Sequence, residues 1–106
     1  MFDPLIQLGQ KTVVAMVHVP ALPGSPDYEH SSGMNKLLHS VVADLEALQS
    51  GGVDAIMFGN EFDRPYVLKA PPEGLAALAS VIGQVKSMIK VPFGVNYLWD
   101  PVATVA

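Results

Sequence analysis

A histidine, two asparagines and a set of carboxylates stand at the ends of short apolar runs, and their types point to acid–base chemistry and hydroxyl recognition. His18 closes the run TVVAMVH and offers a general acid/base group or a ligand to metal or phosphate. Asn60 and Glu61 follow the run VDAIMFG; the amide suits binding of a substrate hydroxyl, and the carboxylate suits a base or a metal ligand. Asn96 lies within VPFGVNYL, where an amide among apolar residues must bond either a ligand or a neighbouring strand. Asp63, Arg64 and Asp100 complete the group. A guanidinium at position 64 suits a phosphate or carboxylate.

Each of these residues also has a purely structural reading. His18 can be a half-buried imidazole bonded to a loop carbonyl, and Glu61 can pair with Arg64 in a loop-capping role. Asp63 can serve as a turn residue before Arg64-Pro65, and Asp100 as a helix cap before Pro101. His30 and His39 are expected to face solvent or lie in loops. His18 and Glu61 together supply two metal ligands, too few for a site, so no metal is assigned and no cofactor follows from these residues. Neither a GxGxxG nor a GxxxxGK[ST] phosphate-binding pattern occurs, and the Pro-rich stretch 20–26 lacks a dense glycine pattern.

The elements that must position these groups follow from hydrophobic patterning. Thr12–His18, Val53–Gly59 and Val91–Leu98 are short, rich in Val, Ile, Met and Phe, and do not alternate with polar residues, which predicts parallel strands buried on both faces. Between the first two, Met34, Leu37, Leu38, Val41, Val42, Leu45 and Leu48 recur three and four residues apart, the stripe of a helix over Met34–Ser50. Gly51-Gly52 follows where a left-handed cap would end it. A second helix is predicted over about Glu73–Ile89, opened by Pro71-Pro72 and striped by Leu75, Leu78, Ile82, Val85 and Ile89. Gly83 weakens it by about 1 kcal/mol relative to Ala, unless a close contact requires it.

The order β-α-β-α-β gives an α/β protein in which sites gather at the carboxyl ends of the strands. Asp100-Pro101 reads as the opening of a third helix at which the chain stops, so residues 1–106 are expected to be one partial domain, truncated there. With two helices for three strands, one edge and part of a face should stay uncovered, predicting marginal stability and self-association.

Composition narrows the function classes. Half of the 106 residues are hydrophobic, 15% are charged and the mean hydropathy is +0.34, which argues against disorder. No apolar run approaches the roughly 20 residues of a membrane span, and no secretory leader pattern opens the chain, so a cytoplasmic protein without membrane association is expected. The absence of cysteine excludes disulfides, zinc knuckles, iron–sulfur clusters and thiol catalysis. Six Lys and Arg are scattered against ten Asp and Glu, for a net charge of −4, which sets nucleic acid aside as a partner.

Three stretches carry a resemblance: AMVHVPALPGSPDY (15–28), LQSGGVDAIMFGNEFDRPY (48–66) and VPFGVNYLWDPVA (91–103). They resemble the BtpA/SgcQ family, with its usual forms MVHLxPLPGSP, GGVDGIxxEN followed by D-x-P, and PxGVNxLxND. The forms MFGNEFDRPY and VNYLWDPVA are nearest to the SgcQ-like branch. Where many members have Glu-Asn, this chain has Gly59-Asn60 with Glu61 one place later; where many have Asn-Asp, it has Trp99-Asp100.

The resemblance implies a (β/α)8 TIM-type barrel akin to the ribulose-phosphate-binding barrels, of roughly 250 residues when whole, of which this chain would be the amino-terminal part with about three βα units. It implies an enzyme or binding protein for a small phosphorylated sugar or related metabolite, homo-oligomeric at full length. The alternative it implies is a non-catalytic assembly factor of the photosystem I biogenesis type, with this portion inactive. On the first reading His18, Glu61 and Asp63 carry the chemistry, while Asn60, Arg64, Asn96 and Asp100 bind the substrate.

Overall fold

Strand and helix alternate as the patterning requires: β1 (Val14–His18), α1 (Gly33–Ser50), β2 (Ala55–Gly59), α2 (Pro72–Val85) and β3 (Phe93–Asn96), with a single 3-10 turn, Lys86–Met88, extending α2. The computed structural model describes residues 11–31, 33–60, 62–63, 69–98, 100, 102 and 104. The strands form one parallel sheet in the order β1-β2-β3.

Local chemistry sets the element ends. In α1 the buried residues are Leu37, Val41 and Leu45, one per turn of a single face. The helix stops at Gly51, whose N–H still bonds Ala47 O, and at Gly52, which takes φ +81°, a conformation that costs a Cβ-bearing residue. Pro71 is extended and the N–H of Leu75 returns to its carbonyl at 3.1 Å, so α2 opens on the prolines with Glu73 in its first turn. It ends earlier than the predicted Ile89, tightening into the 3-10 turn after Val85. Nothing lies within 4 Å of a Cβ built on Gly83, so no neighbour demands that glycine. Val102 and Thr104 are helical, and the Thr104 N–H bonds Asp100 O at 3.0 Å, so a helical turn does open after Asp100.

The core lies between the sheet and the two helices. Val17 and Phe58 pack in one cluster with Leu37, Val41 and Leu45 of α1 and Leu78, Val81 and Val85 of α2. At the amino ends of the strands, Asp54 Oδ2 accepts the Val13 N–H at 2.7 Å. Gln49 accepts the Lys90 N–H at 2.6 Å and donates to Met88 O at 3.0 Å, tying α1 to the approach of β3.

Burial of the strands corrects the reading of runs buried on both faces and agrees with the expectation that two helices leave part of a face uncovered. β2 is buried almost throughout, but Val14 and Met16 of β1 are 48% and 39% exposed. The reason is stoichiometric: both helices contribute to the core on one face, and among the described residues nothing covers the other.

Candidate functional site

Register fixes which side chains meet at the carboxyl edge. Residues paired across parallel strands project to the same face. His18 pairs with Gly59, and Gly59 with Asn96, so the three form one row. The row continues the uncovered face of Met16, Met57 and Gly94. His18 and Asn96 are exposed, and Gly59 between them has no side chain. With two strand spacings between their Cα atoms, about 10 Å, the imidazole and the amide flank a gap the width of a small molecule.

One residue further on, the opposite situation holds. Asn60 and Tyr97 are each 2% exposed. Asn60 is engaged at both ends of its amide: Nδ2 donates to Asp63 Oδ2 at 3.2 Å, and Oδ1 accepts the Leu98 N–H at 2.7 Å. Asp63 is buried, and its Oδ1 accepts the Leu22 N–H at 2.6 Å. Asp100, also buried, accepts the Ala70 N–H through Oδ2 at 2.7 Å. Thr104 Oγ1 accepts the Tyr97 N–H at 2.9 Å. These bonds join the loops that follow all three strands, since Leu22 lies after β1, Asn60 and Asp63 after β2, and Leu98 and Asp100 after β3.

Electrostatics follow from this packing. Burial pushes the Asp63 carboxyl above its usual range, against the lowering effect of the Leu22 N–H and the Asn60 amide. Burial, reinforced by the carboxylates of Asp63, Glu73 and Asp100, pushes the Tyr97 phenol up to about 12. Tyr97 therefore stays protonated at physiological pH. Its hydroxyl lies against the first turn of α2, where a Cβ on Gly74 would sit 2.5 Å from Oη. Glu73 reaches the loop after β1: a Cβ on Gly24, which has φ +96°, would sit 2.7 Å from Glu73 Oε1.

The structure thus divides the residues singled out from sequence. It brings His18 and Asn96 together on the exposed row, and it brings Asn60, Asp63 and Asp100 together as buried anchors of the loops. Glu61 and Arg64 lie outside the described residues, as does Trp99. His30 and His39 are exposed, the former edge-on to Tyr28 at 4.8 Å between ring centroids. Among the described residues no three His, Asp or Glu side chains gather to hold a metal ion, and no helix is long and apolar enough to cross a membrane.

Three participants escaped the sequence reading. Tyr97 is buried beside the anchors, Glu73 stands against the loop after β1, and Phe62, 46% exposed, stands edge-on to His18 with ring centroids 6.1 Å apart. The available signal for Phe62 was an aromatic residue inside the polar turn Asn60-Glu61-Phe62-Asp63.

Comparison with known proteins covers nearly the whole chain. The sequence profile of the BtpA family matches residues 9–106. The sgc region protein SgcQ of Escherichia coli K12 is 55% identical over 95 residues, which are 90% of this chain and 35% of that protein. An uncharacterised protein of Archaeoglobus fulgidus is 33% identical over 98 residues, 92% of this chain and 39% of that protein. An uncharacterised protein of Pyrococcus abyssi is 36% identical over 93 residues, 88% of this chain and 35% of that protein. The chain therefore spans between a third and two-fifths of the length of these curated relatives. No solved structure matches it.

Proposed function

The chain belongs to the BtpA family, and on that premise we propose that it supplies about three βα units of a (β/α)8 barrel whose strand-carboxyl edge binds a small phosphorylated sugar or related metabolite in the cytoplasm. The observation that carries this reading is the row His18–Gly59–Asn96. It places an exposed imidazole and an exposed amide on one face, at the edge where barrels of this kind hold their ligands, with only a glycine between them.

A face and outer edges of β1 and β3 that no described residue covers or pairs support the barrel: further strands of a longer protein would pair with those edges and enclose the face. In this arrangement the row points inward and upward, toward the mouth. His18 serves as the acid/base group, since its exposed imidazole carries a hydrogen-bond donor and an acceptor. Asn96 orients a hydroxyl by accepting from it or donating to it. Glu61 is the second carboxylate and Arg64 the partner of a phosphate or carboxylate group.

Asn60, Asp63 and Asp100 act differently from the pair on the row. Their polar atoms hold loop backbone, so they position the mouth of the site. Such anchoring matters because a site held rigid before binding loses less entropy when the ligand arrives. The reading is tested by ligand-induced stabilisation of the wild type and of a His18→Ala, Asn96→Ala double variant against a panel of sugar phosphates. Stabilisation confined to the wild type supports it, and equal stabilisation of both proteins overturns it.

A further inference from the structure

Phe62 is a large apolar side chain that the fold leaves 46% exposed, while Asn60 and Asp63 on either side of it are buried and bonded. Asn60 and Asp63 bracket it, the Asp63 N–H closes the turn on Asn60 O at 3.0 Å, and their side chains bond each other, Leu22 and Leu98. The ring keeps apolar surface in water, at a cost of about 25 cal/mol for each Å².

The ring stands beside the acid/base candidate. Phe62 and His18 meet edge to face, with 69° between their planes. Both line an open cleft of about 560 Å³ to which the loop after β1 contributes Asp27 and α1 contributes Asp44. That volume falls within the range of small-molecule sites. Its walls combine an aromatic ring, an imidazole and two carboxylates. An aromatic face packs against the C–H side of a saturated ring, and carboxylates accept hydrogen bonds from hydroxyls. The same carboxylates repel a phosphate.

We propose that Phe62 is a specificity-determining residue that stacks on the apolar face of a polyhydroxylated ring, with His18, Asp27 and Asp44 taking its hydroxyls and any phosphate directed away from this cleft. The proposal rests on reading the strand-end edge as a ligand site; the cleft shares His18 with the row His18–Gly59–Asn96 and extends from it toward the loop after β1 and α1. It also accounts for a half-exposed Phe standing beside His18 at this edge.

The test uses this chain as wild type, Phe62→Leu, Phe62→Tyr and His18→Ala. Glucose, ribose, their terminal phosphates and inorganic phosphate serve as probes, with the ring signals of Phe62 and His18 followed by NMR. A sugar and its phosphate should both shift the two signals, and inorganic phosphate should not. Phe62→Leu, which keeps apolar volume but removes the ring, should weaken sugar binding about tenfold, while Phe62→Tyr should retain it. The dispersed wild-type-like spectrum of each variant verifies its fold. Undiminished binding by Phe62→Leu, together with loss in His18→Ala, would overturn the role of Phe62 and leave the site standing. Inorganic phosphate shifting the Phe62 ring would overturn the orientation. No response to any sugar would overturn both readings.

Discussion

The Asp63 carboxylate holds the backbone N–H of Leu22 at 2.6 Å, across 41 residues of sequence. One bond thereby joins the loop after β1 to the loop after β2, and it does so beneath the surface. Leu22 is fully buried, so the same contact that satisfies its N–H also seats an apolar side chain in the core. The second carboxylate oxygen takes the Asn60 amide, and Asn60 passes the connection to Leu98 after β3. A chain of three hydrogen bonds thus carries order from the first strand end to the third.

Replacing Asp63 by Asn places an amide donor against the Asn60 donor, and replacing it by Ala leaves the Leu22 N–H without its acceptor. Either change should destabilise the fold by about 1–3 kcal/mol, measured by urea unfolding. The sign of the pH effect follows from burial. Because burial raises the folded-state pKa of Asp63, its contribution to stability is fully present below the ordinary carboxyl value of 3.8 and is lost as pH rises through the raised value. The stability advantage of wild type over Asp63→Asn should accordingly be larger in acid than at neutral pH.

Tyr97 gives the alkaline counterpart. Burial, with the nearby carboxylates, pushes its phenol from the ordinary value of 10.0 up to about 12. The protonated form is favoured by folding, so stability is intact below pH 10 and falls as pH rises from there through 12. Tyr97→Phe should lack that component of the alkaline loss. A tyrosinate absorbance titration of wild type and variant reads the effect directly, by showing whether the residue removed is the late-titrating one.

Two glycines of α2 should respond in opposite directions. Gly83 is exposed with open space around it, so Gly83→Ala should stabilise by about 1 kcal/mol through helix propensity. Gly74 is buried with Tyr97 Oη in the way of any Cβ, so Gly74→Ala should destabilise by displacing a buried phenol. Thermal unfolding of the two variants checks the pair.

The uncovered sheet face and the outer edges of β1 and β3 should make the chain associate with itself. Sedimentation across a range of concentrations should show growing species. A single monomer, independent of concentration, would contradict this.

Much of the architecture was legible because periodicity is a local signal. The stripe Leu37, Val41 and Leu45 and the prolines before Glu73 place both helices, and the unalternating runs place the strands. That part of a face stays uncovered was legible from the count of helices, but which strand residues it leaves bare was not: an apolar Val14 or Met16 looks the same whether or not a partner lies over it, and among the described residues none does. The strand-end residues were found as a set, since polar groups at the ends of apolar runs are conspicuous. Their division into an exposed row and a buried anchor was not, because it depends on register. A shift of one residue separates Asn96 from Tyr97 and Gly59 from Asn60, and it turns the side chain to the other face. The bond from Asp63 to Leu22 has no sequence signature either, as nothing in a turn specifies a partner 41 residues away.

The central claim is that the row His18–Gly59–Asn96 is a ligand edge. The most direct measurement is thermal unfolding of the wild type and of the His18→Ala, Asn96→Ala double variant, each with and without saturating sugar phosphates. At a hundred times its dissociation constant a ligand should stabilise the wild type by about 2.7 kcal/mol. The double variant keeps the buried anchors and should unfold cooperatively without that gain. Stabilisation of equal size in both proteins, or none in a wild type that is demonstrably folded, would contradict the account.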